Sequence, residues 1–88
     1  MTDRGAQLPL DPRLARALGA TWETTEDQGG TIVVKVDSVE RRYRDALKAG
    51  ATGVEPPRDE VGLGAWRRVA RLVDTLTGFP VTIWSDRG

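Results

Sequence analysis

Apolar residues change their spacing along this chain, from the three-and-four steps of helices to the alternation of strands, and the switches mark its elements. Leu14, Ala15, Ala17 and Leu18 form a short helical stripe behind Asp11-Pro12. Asp11 is placed to cap that helix, Pro12 suits its first position and Gly19 ends it. Residues 1–10 read as a tail, ordered only where Leu8 and Leu10 find apolar surface. Thr21–Thr25 is rich in β-formers and Glu26–Gly30 is a turn cluster, so a short strand and a reversal are expected there. Thr31–Val36 alternates cleanly. Ile32, Val34 and Val36 fall on one face, and Thr31, Val33 and Lys35 on the other.

Asp37-Ser38-Val39-Glu40 opens a helix over 38–49, capped by Asp37 or Ser38 and closed by Gly50. Val39, Tyr43, Ala46 and Leu47 make its apolar face, with arginines around the rest. Ala51–Glu55 forms a short strand that Pro56-Pro57 stops, and Arg58–Gly64 reads as a loop. Trp66–Val73 fits two periods, since Trp66, Val69, Ala70 and Val73 also have helical spacing; its Gly-rich approach and its valines favour a strand. Asp74–Gly78 then turns into a last strand, Phe79–Trp84, with Val81 and Ile83 opposite Thr82 and Trp84. From Thr31 the order is β-α-β-β-β. The expected fold class is α+β, one such module preceded by a short helix and strand, with residues 11–88 as a single domain.

Composition narrows the chemistry. Thirteen Lys+Arg balance thirteen Asp+Glu, and His and Cys are absent. Zero net charge gives no basic field for a phosphate backbone, so nucleic acid is not an expected partner. Without Cys or His there is no disulfide, zinc finger, thiol nucleophile or imidazole metal site. No run approaches the roughly 20 apolar residues of a membrane span, and Met1–Gly5 does not resemble a signal peptide; the expected location is cytoplasmic, with no membrane partner. A chain of 88 residues buries only about 60–65% of its unfolded surface. Docking onto a second copy is therefore an attractive source of further core.

Four junctions resemble one module of the vicinal oxygen chelate superfamily, the family of glyoxalase I, extradiol dioxygenases and bleomycin-resistance proteins. They are Val36-Asp37-Ser38-Val39, Ala49-Gly50-Ala51-Thr52, Glu55–Glu60, and the hairpin from Ala70-Arg71-Leu72-Val73-Asp74 through Gly78 into Val81–Trp84. The resemblance spans Thr31 to Trp84. It departs at the turn, where the family's Asp-Pro-x-Gly is here Asp74-Thr75-Leu76-Thr77-Gly78, longer and without the proline. The resemblance implies a curved mixed sheet. In the family two modules enclose each cavity, and this chain resembles only one, of the C-terminal type, which implies a homodimer.

Family enzymes hold a divalent metal on the first and last strands of each module. By the resemblance those positions fall on Thr31 and Thr82, whose neutral hydroxyls replace neither carboxylate nor imidazole. No metal and no cofactor are therefore expected, and the resemblance points to members that sequester small molecules without catalysis. Trp22, Trp66 and Trp84 are candidates to stack on a planar, partly apolar ligand. Val33 is an apolar wall, Thr31 and Thr82 are hydroxyls for orientation, and Arg71 or Arg67 is a cation for an anionic group. Trp66 has the opposite strand parity to Arg71, so the two share a cavity only if a bulge intervenes or Trp66 precedes the strand. Two other classes stay open: an enzyme with a carboxylate-held metal, and an interaction module that docks another protein on its bare sheet face.

Overall fold

The structure, a computed structural model, describes residues 8–62 and 65–86, without the side chains of residues 65 and 66. The chain runs α1 (Pro12–Leu18), β1 (Thr25–Gln28), β2 (Thr31–Lys35), α2 (Val39–Lys48), β3 (Thr52–Gly62), β4 (Ala65–Val73) and β5 (Pro80–Asp86). The strands form one open mixed sheet in the order β1-β2-β5-β4-β3. β2 and β5 pair in parallel and every other neighbouring pair is antiparallel. From Thr31 onward this is the expected β-α-β-β-β order, and the fold is α+β. The ambiguous 66–73 segment is a strand, paired on both sides by β3 and β5. No helix among the described residues is long and apolar enough to cross a membrane.

Both helices lie on one side of the sheet and share its core. Leu14 and Leu18 of α1, and Val39 and Ala46 of α2, pack with Ile32, Val34, Val36, Ala70, Leu72, Val81 and Ile83. Leu10 joins them at 5% exposure, so the end of the expected tail belongs to the core, while residues 1–7 lie outside the described residues. Alternation along β2, β4 and β5 places Thr31, Val33, Lys35, Arg67, Val69, Arg71, Thr82 and Trp84 on the helix-free side.

Three corrections concern boundaries. The strand expected at 21–25 lies at Thr25–Gln28, because Thr21 and Thr24 close a tight turn of their own: the Thr21 N–H donates to Thr24 Oγ1 at 2.8 Å and Thr24 Oγ1 donates to the Thr21 carbonyl at 3.2 Å. The reversal shrinks to Gly29-Gly30, both with positive φ. The strand expected to stop at Pro56-Pro57 runs on to Gly62, through what reads locally as a loop. Its register against β4 shifts twice, between Gly53 and Glu55 and between Glu55 and Arg58. Prolines are tolerated there because β3 is an edge strand, whose outward amides need no partner strand. Gly53 has a packing role in the same strand: a Cβ on it would collide with the Tyr43 hydroxyl, so a side chain there would push the Tyr43 ring aside.

Side chains distant in sequence fix the helices. Asp74, at 1% exposure, accepts the Asp11 N–H at 2.8 Å and the N–H groups of Leu76 and Thr77 at 3.0 and 3.3 Å. One carboxylate thus shapes the β4–β5 turn and holds the start of α1. The neighbouring Thr75 hydroxyl donates to the Gly50 carbonyl at 2.7 Å, tying the same turn to the end of α2. Ser38 is the N-cap of α2, accepting from Arg41 N–H, and this frees Asp37 to bind Arg41 and Arg42. Arg42 also donates to the Ala17 carbonyl at 3.0 Å, near the end of α1. Arg68 joins α2 to the sheet edge through Glu40 and Asp59.

Asp74→Ala leaves three backbone N–H groups without their acceptor, and urea denaturation is expected to show a loss of about 2–4 kcal/mol. The bond to Arg42 holds the Asp37 carboxyl below its ordinary value of 3.8. A depressed pKa contributes stability that is fully present above the unfolded value and is lost as pH falls through the folded one. The stability difference between the wild type and Asp37→Asn is therefore expected to be constant from neutral pH down to about pH 4 and to shrink below it. A difference that does not change with pH would show that Arg42 is held by the Ala17 carbonyl alone.

Candidate functional site

The helix-free side of the sheet carries an open trough of about 900 Å³. Ladder pairing sets its floor in rows, because directly paired residues project to the same face. One row runs Glu26, Val33, Thr82, Arg71, Glu55 from β1 to β3. The next runs Lys35, Trp84, Val69, Arg58. A third brings Asp86 of β5, Arg67 of β4 and Glu60 of β3 together. Thr31 lies beyond Val33, paired with Gln28.

Five of the six residues that the sequence nominates therefore line one surface: Thr31, Val33, Arg71, Thr82 and Trp84. Thr31, Val33, Thr82 and Trp84 are half-buried, and Arg71 is exposed. The sixth, Trp66, pairs with Val61 in the β3–β4 ladder, and its side chain lies outside the described residues. Trp22, at 45% exposure, does not line the trough.

Trp84 organises the middle of the trough. The Arg67 guanidinium carbon stands 4.4 Å from its ring centroid and Lys35 Nζ stands 5.3 Å away, both within cation–π range. Val69, its direct partner on β4, is only 3% exposed although no helix among the described residues covers this face. The indole of Trp84, directly opposite Val69 in the ladder, stands where a helix stands on the other side. Sequence reasoning did not nominate Val69, Lys35 or Glu55 for the site. The signal for Val69 was strand parity with Arg67 and Arg71, and for Lys35 parity with Thr31 and Val33; nothing local placed Glu55 opposite Arg71, because the bulges in β3 set that register.

Charges along the trough are mostly paired. Lys35 meets Asp86 at 3.4 Å, Arg58 meets Glu60 at 3.2 Å and Glu55 at 3.4 Å, and Arg71 meets Glu55 at 3.8 Å. Such exposed pairs contribute little stability, about 0–1 kcal/mol each. Their effect is to orient the cations. Thr31 and Thr82 offer hydroxyls only, a donor set that does not fit a divalent ion, and among the described residues no group of three or more carboxylates has metal-holding geometry.

No protein-family model matches the chain, and neither a curated protein nor a solved structure resembles it significantly.

Proposed function

We propose that the protein binds a small, planar, partly apolar molecule in this trough without transforming it, and that a second copy closes the cavity. The observation that carries this reading is Trp84. An aromatic ring stands half-buried in the centre of a helix-free face, beside apolar Val33 and Val69, with hydroxyls and cations around it. Ligand sites combine an apolar lining with a few oriented polar groups in this way. The β-α-β-β-β order from Thr31 supports the resemblance to the vicinal oxygen chelate superfamily, in which two modules enclose each cavity. With Thr31 and Thr82 at the family's metal positions, sequestration of the bleomycin-resistance kind is the matching activity.

The free edges of the sheet favour face-to-face closure over continuation of the sheet. β1 is four residues long and presents Glu26 and Asp27, so a second β1 would bring like charges together. β3 carries Pro56 and Pro57, which cannot donate to an added strand. That leaves the trough face for a second copy.

Light scattering at micromolar concentration is expected to give the mass of a dimer; a monomer mass would remove the shared cavity. Titration with a panel of planar aromatic molecules is expected to quench Trp fluorescence, and Trp84→Ala to weaken the best binder by about 1–3 kcal/mol. A dimer that no small molecule quenches would instead assign the face to protein contact.

A further inference from the structure

Resting on the trough as a ligand site, we infer that its ligand is an anion, a planar aromatic carboxylate whose acid group is received by Arg67. The rows of the helix-free face carry the cations Lys35, Arg58, Arg67 and Arg71 and the carboxylates Glu26, Glu55, Glu60 and Asp86. Arg67 is flanked in the ladder by Glu60 on β3 and Asp86 on β5, the two carboxylates best placed to neutralise it. Each is engaged elsewhere, Glu60 with Arg58 at 3.2 Å and Asp86 with Lys35 at 3.4 Å. Arg71 has Glu55, which it shares with Arg58. Among the described residues, no carboxylate lies within ion-pair distance of Arg67 and no hydrogen bond involves its guanidinium. Its one described contact is the face of Trp84, at 4.4 Å from the ring centroid.

A cation resting on an indole is held in place and keeps its charge. Guanidinium carries five N–H donors in a rigid fork, and a carboxylate accepts two of them side by side. Arg67 is thus the cation of this face that has no carboxylate partner among the described residues, preordered by Trp84 and accessible from the trough. A carboxylate bound there puts the aromatic part of the ligand beside the Trp84–Val69 pair, with Lys35, itself paired with Asp86, 5.3 Å from the same ring. Thr82, in the adjoining row, offers a hydroxyl to a substituent on the ring.

Calorimetric titration with two probes of the same shape tests this: 2-naphthoate, which carries the anion, and 2-naphthamide, which does not. The wild type is expected to bind the naphthoate about tenfold more tightly, the scale of one charge-assisted hydrogen-bonded contact at a partly exposed site. Added salt should narrow the gap. In Arg67→Gln the two probes should come within about twofold through loss of naphthoate affinity. Arg67→Lys, which keeps the charge without the fork, should fall between. Arg44→Gln, which removes a cation from the exposed face of α2, should keep the full preference. Equal binding of both probes by the wild type, with both weakened in Trp84→Ala, would overturn the anion inference and leave the trough as a neutral site. An unchanged preference in Arg67→Gln, with circular dichroism matching the wild type, would overturn the role of Arg67. Binding of neither probe would overturn the inference together with the trough reading on which it rests.

Discussion

The parallel pairing of β2 with β5 is the constraint from which the rest of the arrangement follows. Parallel neighbours cannot be joined by a hairpin, so the chain must leave the sheet and return before the pair can form. Here the excursion consists of α2, β3 and β4, and β5 then enters between β2 and β4 with the closing partner row in place. Ile32 meets Val81 and Val34 meets Ile83 on the helix side, while Val33 meets Thr82 and Lys35 meets Trp84 on the other. One register therefore builds the centre of the core and the centre of the trough together. A slip by one residue would exchange the two faces and put Thr82 and Trp84 under the helices.

With so small a helical layer, the sheet relies on polar contacts to seat it. α1 is seven residues long, too short to persist without docking. It is held at its start by Asp74 through the Asp11 N–H and near its end by Arg42 through the Ala17 carbonyl. Asp74 is buried and Arg42 mostly so, which makes these contacts worth more than the exposed ion pairs of the trough. The turn from β4 into β5 carries Asp74. Its carboxylate accepts the Leu76 and Thr77 N–H groups, and Gly78 at φ 82° lets the chain re-enter β5.

The trough itself is an economy of the same small chain. No helix among the described residues covers the second face, and Val69 is nevertheless almost fully buried beside its ladder partner Trp84. A cover made of side chains can be displaced at the cost of rotamer and cation–π contacts, whereas a helix cannot be lifted without opening the core. That difference makes this face, and not the other, the one that can open without disturbing the core.

The sequence by itself determined the elements whose signals are local. The alternation of Thr31–Val36, the capped amphipathic helix beyond Ser38 and the parity of Thr82 and Trp84 were all legible, because strand and helix periods are properties of neighbouring residues. So were five of the trough residues, since each lies on the polar or mixed parity of a readable strand. Tertiary structure decided what depends on partners far along the chain. β3 continues through Pro56-Pro57 because β4 pairs with it and its other edge is free, a fact that no window around the prolines contains. Asp74 reads as a turn former in its own window, yet it receives an amide 63 positions away. Arg67 and Arg71 look alike in sequence; only the bulged register of β3 gives Glu55 to one and leaves the other resting on Trp84. Pairing across strands, which assigns each charge its neighbour, is fixed by the packed sheet and not by spacing along the chain.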